Sequence, residues 1–440
     1  MTAERLSALD ASFLAVEGPT TPMHVGWVAR FDPPGRGPRP TAQELLDHIA
    51  DRMEHAHRYR QKLAPVPLGV HEPVWVDDPD FDPARHLHAA QDAETLIDDV
   101  LSIPLARDRP LWEMWVTDDL TLIGKAHHCM VDGTAVAELG NLLLDPSPDA
   151  HETEPTTWEA APEPTPGQRL GRAIADRTGE AAALVASPLK LRPRTVTGAA
   201  RLLAHTLLPP APATELNKAG SARRHHTRVS RSLDDLRTVR KAFKVTPNDV
   251  VLAACAGALR RFAERRGEPP RTLKAMVPAD VRSSDDPSAG NRISFLFIEL
   301  PCAEPDPVER LQAIHRATDQ RRRDGEAEDL DTAFRVLALT PPPFQRALAH
   351  AFGHPRLFNV TVSSVPGPAV PRYLKGCRLT GVHSAVPLAD RHGLSIGVVM
   401  VAGNACFGIF SDPSTVPDAD DLTQDLDDAF DELLDLAAHA

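Results

Sequence analysis

The sequence predicts an α/β protein of the α+β type, with two similar domains, each a mixed β-sheet with flanking helices. Three observations carry this. The 440 residues exceed what one hydrophobic core organises. Apolar residues make up 42% of the chain, enough for two sizeable cores. Strand-like and helix-like patterns alternate on both sides of a Pro/Glu/Thr-rich stretch, residues 145–166. The predicted division is therefore residues 1–145, a linker and helical crossover over 146–227, and a second domain over 228–440.

The first domain opens with a predicted strand, His24 to Phe31. A helix follows from Ala42 to Arg58, with Leu45, Leu46, Ile49 and Met53 at helical spacing. Val74 to Asp82 is rich in Asp and Pro and reads as loop. Ala93 to Leu105 carries Leu96, Ile97, Val100 and Leu101 on one face, a second helix. Trp112–Val116 and Leu120–His127 read as two strands joined by an acidic turn. Thr134 to Leu144 is helical again. Residues 145–166 read as a solvated linker. Helical character returns over 167–208 and ends at Pro209-Pro210.

In the second domain, Val229–Leu233 reads as a strand and Ser232–Ala242 as a capped helix. Pro247-Asn248-Asp249 opens a strong helix reaching Arg265. Leu273–Val277 and Ile293–Leu300 read as buried strands, and Val308–Arg323 as an amphipathic helix. Asn359–Ser363 is a strand stopped by Val365-Pro366-Gly367-Pro368. Two apolar runs, Leu394–Ala402 and Ala405–Ser411, flank Gly403-Asn404 and read as a hairpin. Asp421–Ala437 is the final helix.

Composition narrows the function classes. A net charge of −13 is a poor basis for binding nucleic acid, which needs clustered Lys and Arg. The five cysteines are widely spaced, with no CxxC pair, so reduced thiols are expected rather than a disulfide framework or zinc site. No secretory signal is expected in MTAERLSALDASFLAV. No run of about 18 apolar residues is present, so no spanning helix is expected either.

The chemistry concentrates in His127-His128-Cys129-Met130-Val131-Asp132-Gly133. A strand runs into the two histidines, and Asp132-Gly133 leads into a helix. A general base needs a place that substrate can reach, and a strand exit offers one. Histidine takes and returns a proton near neutrality. Asp132 either fixes the loop by a salt bridge, holds an imidazole in one tautomer, or merely caps the helix. Gly133 permits close backbone approach or positive φ. Adjacent histidines on a strand point to opposite faces, which makes His127 and His128 poor joint metal ligands.

His-His-x-x-x-Asp-Gly resembles the signature of the chloramphenicol-acetyltransferase-like superfamily, which includes peptide-synthetase condensation domains. The whole chain, from about residue 5 to 425, resembles the bacterial wax ester synthase/diacylglycerol acyltransferase family. The resemblance rests on Leu6–Phe13 with Pro22-Met23-His24, on Pro110-Leu111-Trp112, and on Pro247-Asn248-Asp249. It continues through Val277-Pro278 to Arg282, Gly290-Asn291 and Leu300-Pro301. Asn359–Ser363 with Val365–Pro368, and Pro387-Leu388 to Gly393-Leu394, complete it. Ser364 stands where the family often has Asn, the 219–226 segment is unusually basic, and Cys129-Met130 is a variant filling of the motif.

The resemblance implies two chloramphenicol-acetyltransferase-like domains with a substrate tunnel between them. His128 would be the general base that deprotonates an acceptor hydroxyl, whose oxygen attacks the thioester of a long-chain acyl-CoA directly. His127 would shape the site. Asp132 would be structural, paired with Arg60 or Arg282. Asn248 and Asp249 would bring the second domain to the substrate, Thr361 or Ser363 would hold the oxyanion, and Pro110, Leu111 and Trp112 would serve either substrate contact or core packing. The acceptor would be diacylglycerol or a fatty alcohol, giving triacylglycerol or wax ester. No cofactor or metal is implied beyond acyl-CoA as co-substrate. The expected location is cytoplasmic, peripheral at the inner membrane face or on lipid droplets. Two other readings stay open: a condensation-type enzyme using a carrier-protein thioester, and a catalytically silent lipid-binding protein.

Other signals read as structural. Gly393-Leu394-Ser395-Ile396-Gly397 matches the hydrolase elbow pattern, but a strand rather than a helix follows it. Cys129 reads as a packed small residue. His86, His88, His225 and His226 read as loop or edge histidines. Leu189–Arg194 with Leu202, Leu203, Leu207 and Leu208 is either a lipid surface or a packing segment between the domains.

Overall fold

In the computed structural model the described residues are 3–131, 133–149, 158–186, 209–280, 293–325 and 340–439. They form two six-stranded mixed sheets. In the first, the order is Tyr373–Leu374, Cys377–Ala385, His24–Asp32, Thr121–His127, Trp112–Thr117 and Leu87–Ala90. In the second it is His225–Ser232, Asn404–Ser411, Leu394–Val401, Val360–Pro366, Leu273–Asp280 and Ile293–Leu300. Val360–Pro366 runs parallel to both of its neighbours.

The second core is built around helix Pro247–Arg265. Its segment from Asp249 to Leu259 is buried throughout, between the sheet and helix Asp421–Ala437. Each large apolar side chain so enclosed contributes about 1.5–3 kcal/mol. A Cβ at Gly257 would lie 2.8 Å from that of Ala429, so glycine sets how closely the two helices approach. The predicted hairpin is present, with Val401 paired to Asn404. Its turn residues are Ala402 and Gly403, both at positive φ, one position earlier than the sequence suggested.

Several elements depart from the sequence reading. Val74–Asp77, predicted as loop, is a buried strand paired with Gln61–Ala64. Val74 and Val76 pack with Ala64 and Trp75 joins the first core, while the Asp/Pro run that hid the strand begins just beyond. Helices Ala8–Val16 and Pro342–Phe352 and strand Cys377–Ala385 were not predicted. The linker is not wholly solvated. Trp158 lies under the Arg60 guanidinium at 4.4 Å, and the Ala161 N–H donates to Asp77 at 3.0 Å. The basic stretch over 189–208 lies outside the described residues.

The largest departure concerns the domain division. Cys377–Ala385 pairs antiparallel with His24–Asp32, from Gly26 with Ala385 to Asp32 with Arg378. A segment of the second half thus completes the first sheet, and the two units are not contiguous in sequence. Helix Ala93–Ser102 of the first unit also packs on strand His225–Ser232 of the second.

Candidate active site

Strand Thr121–His127 is buried along its whole length. Lys125, 1% exposed, donates from its ammonium to the carbonyls of Val100 (2.9 Å) and Ile103 (2.8 Å), which anchors the C-terminal end of helix Ala93–Ser102. His127 faces His24 across the sheet, and its N–H donates to Leu111 O at 2.9 Å. The chain then leaves the sheet. The His128 N–H donates to Met23 O at 2.8 Å, and the Met130 N–H returns to His127 O at 2.9 Å. The backbone therefore fixes where both imidazoles begin.

The two rings meet different surroundings. His127 is 1% exposed. Its Nδ1 accepts the Cys129 N–H at 3.1 Å, so a neutral ring carries its proton on Nε2. That nitrogen lies 3.4 Å from Glu17 Oε1 and 3.4 Å from Arg107 Nη2, and Arg107 is paired with Glu17. Burial, reinforced by Arg107, pushes His127 down to about 3 and keeps it neutral. His128 is half-buried, and its ring stacks on Phe13 with centroids 3.8 Å apart and planes 12° from parallel. Glu17 is the C-cap residue of the helix that carries Phe13. One short helix thus touches both histidines.

Cys129, 3% exposed, packs in the first core. Burial, then the nearby Asp10, raises its thiol well above the ordinary range, which removes it as a nucleophile. Ser395 is equally closed: 1% exposed, in a strand, with its hydroxyl donating to Val386 O at 2.7 Å. Gly133 is the first residue of helix Gly133–Leu143. Asp132 and Arg282 lie outside the described residues, so the predicted pairing of Asp132 with either arginine lies there too. Arg60 is buried, with its guanidinium over the Trp158 ring and the carboxylates of Asp77 and Glu54 nearby.

The Pro110-Leu111-Trp112 element packs rather than faces substrate. Trp112 is fully buried, donates from Nε1 to Tyr59 O at 2.7 Å, and stacks on His86 with centroids 4.6 Å apart. The element meets the site through the Leu111 carbonyl, which accepts the His127 N–H. Asp249 also departs from its expected role. It is fully buried, caps its own helix through Thr246, and accepts from Thr318 Oγ1 at 2.6 Å and His315 Nδ1 at 2.8 Å. It locks two helices together and has no face left for substrate. Asn248, one residue earlier, is half-buried. Thr361 is buried and Ser363 half-buried on the same face of strand Val360–Pro366.

Phe13, Glu17 and Arg107 were not singled out from sequence. Phe13 and Glu17 sit four residues apart, one turn of helix, just after the Ser7–Asp10 cap. That spacing was readable, but its target was not. Among the described residues, no group of three His, Cys, Asp or Glu is arranged to hold a metal ion. No helix among them is long and apolar enough to cross a membrane.

The architecture is that of two-domain acyl-transferring and condensing enzymes. A starter condensation domain of rhizomide synthetase RzmA, a variant solved in complex with C8-CoA, matches with a TM-score of 0.60 at 15% identity over 99% of this chain and 95% of that one. The wax ester synthase/diacylglycerol acyltransferase from Marinobacter aquaeolei VT8 matches with a TM-score of 0.71 at 24% identity, over 99% of this chain and all of that one. The wax ester synthase/diacylglycerol acyltransferase catalytic domain model matches residues 6–251, and the WS/DGAT C-terminal domain model matches residues 289–434. The probable diacylglycerol O-acyltransferase tgs2 of Mycobacterium tuberculosis is 32% identical over 96% of this chain and 97% of its own length. The chain belongs to the wax ester synthase/diacylglycerol acyltransferase family.

Proposed function

We propose that this protein transfers a long-chain acyl group from acyl-CoA to the hydroxyl of diacylglycerol or a long-chain alcohol, with His128 as general base. One observation carries the assignment of the base. Of the two adjacent histidines, His127 is sealed and spends Nδ1 on the Cys129 N–H, while His128 stands half-exposed at the strand exit.

His128 accepts the acceptor's hydroxyl proton as its oxygen bonds to the thioester carbonyl carbon. The tetrahedral intermediate then collapses, the C–S bond breaks, and the proton on His128 passes to the departing CoA sulfur. Direct transfer suits a site whose nearby thiol, Cys129, is closed and un-ionised. Thr361 or Ser363 supplies a donor to the oxyanion. Asn248 brings the second unit to the substrate, in a tunnel between the two halves, and Asp132 holds the turn. The chemistry requires no cofactor beyond acyl-CoA as co-substrate. Its lipid acceptor calls for peripheral contact with a membrane or droplet surface.

The test uses purified protein with palmitoyl-CoA and either dioleoylglycerol or hexadecanol, following CoA release and ester formation. His128→Ala is expected to lower turnover about 10²- to 10⁴-fold. Wild-type turnover with neither acceptor, or equal turnover by His128→Ala, overturns the proposal.

A further inference from the structure

The stack of Phe13 on His128 does more than wall the site. General-base catalysis changes the charge of the imidazole. The ring is neutral before the hydroxyl proton moves and cationic once it has moved. An aromatic face carries negative quadrupole density and attracts a cation laid over it, more strongly when the pair is shielded from water. Both rings are half-buried, their centroids are 3.8 Å apart, and their planes lie within 12° of parallel. That geometry puts the developing charge over the Phe13 face. We propose that Phe13 is a positioning residue whose ring stabilises the imidazolium that His128 becomes as it takes the acceptor's proton.

The platform is held firmly enough for this. Its helix is capped at the start by Ser7, whose hydroxyl oxygen accepts the Asp10 N–H at 3.1 Å. At the other end, Glu17 joins Arg107 and the buried His127. The outer flank of the helix packs on helix Pro342–Phe352 of the second half. The ring therefore needs no rearrangement at the moment charge appears, which is where preorganisation acts. An interaction with the cation that is absent from the neutral ground state raises kcat and leaves substrate binding alone.

The inference rests on His128 being the base, and the experiment separates the two ideas. Position 13 is filled in turn with Phe, mono-, di- and trifluorinated Phe, Tyr and Leu in the full chain, with palmitoyl-CoA and hexadecanol or dioleoylglycerol as substrates. Fluorination keeps the shape and drains the ring face of negative charge. kcat should fall stepwise along the fluorinated series at constant KM for palmitoyl-CoA. Leu should cost roughly 3- to 30-fold in kcat, and Tyr should retain most of it. A flat fluorinated series, or a change confined to KM, overturns the role of Phe13. With His128→Ala inactive in the same assay, that result leaves the base assignment standing. A His128→Ala protein that turns over like wild type sinks both.

Discussion

The chain contains two adjacent histidine pairs, His127-His128 and His225-His226, and their surroundings differ. His127-His128 ends a strand of the first sheet, and His225-His226 begins a strand of the second. In each pair one ring is buried and pushed down to about 3, His127 in the first and His226 in the second, with burial the main cause in both. The partners diverge. Both ring nitrogens of His225 point at carboxylates, Asp98 at 2.7 Å and Asp420 at 3.0 Å. Those hydrogen bonds lift His225 to about 9 and keep it an imidazolium. A cation with both nitrogens donating accepts no proton, so His225 serves as a clamp between helix Ala93–Ser102 and the second sheet. The His128 ring stacks on Phe13. The dipeptide is the same, and the neighbours set the surroundings of each ring.

Turnover should break the symmetry most sharply. Alanine at His225 is expected to leave kcat within a few-fold of wild type under the conditions where His128→Ala loses orders of magnitude. A comparable loss at both positions would remove the distinction.

Acid and alkali should then separate clamp from buried ring. His127 and His226 have folded values well below the unfolded 6.5. The unfolded chain therefore takes up protons first, and stability, complete above 6.5, is lost as pH falls toward 3. At pH 4 the loss is roughly 3 kcal/mol per histidine. His225 has the opposite sign. Its contribution is complete below 6.5 and disappears as pH rises through about 9. Urea midpoints from pH 4 to 10.5 should thus decline on both sides. His226→Gln should flatten the acid side and Asp98→Asn the alkaline side, and unchanged slopes in both would count against this account.

The smallest effect sharpens the contrast between a residue that faces substrate and one that braces. Asp249→Ala takes a carboxylate acceptor from His315 and Thr318 and removes the Asp249 half of the Thr246 capping box. It should cost about 2–4 kcal/mol in urea unfolding. kcat measured well below the new midpoint should change little. A large kcat loss in a protein of normal stability would return Asp249 to the substrate.

The sequence made much of this legible and hid the rest for physical reasons. The strand into His127-His128, the helix opened by Pro247 and the hairpin at Gly403 are local patterns, and local patterns survive in a single sequence. The hold of Glu17 and Arg107 on His127 spans segments with nothing local to link them. Strand Cys377–Ala385 does alternate, burying Cys377, Leu379, Gly381, His383 and Ala385. Two of those five are a glycine, which sits against Cys406 Sγ, and a histidine bonded to Ser230, so the apolar rhythm is broken where the sheet needs close approach and a polar contact. The sequence leaves Trp112 open between substrate contact and core packing, and its ring lies in the first core.

The strand that crosses between the units has a consequence for biosynthesis. His24–Asp32 holds strand Thr121–His127 on one edge and presents the other, an unpaired row of backbone donors and acceptors, until Ala385 has been made. On the ribosome, the half that carries His128 therefore waits with an open edge while most of the chain is still being added, a stage at which such edges invite pairing with the wrong chain. Cutting the gene after the catalytic domain would leave that edge open permanently.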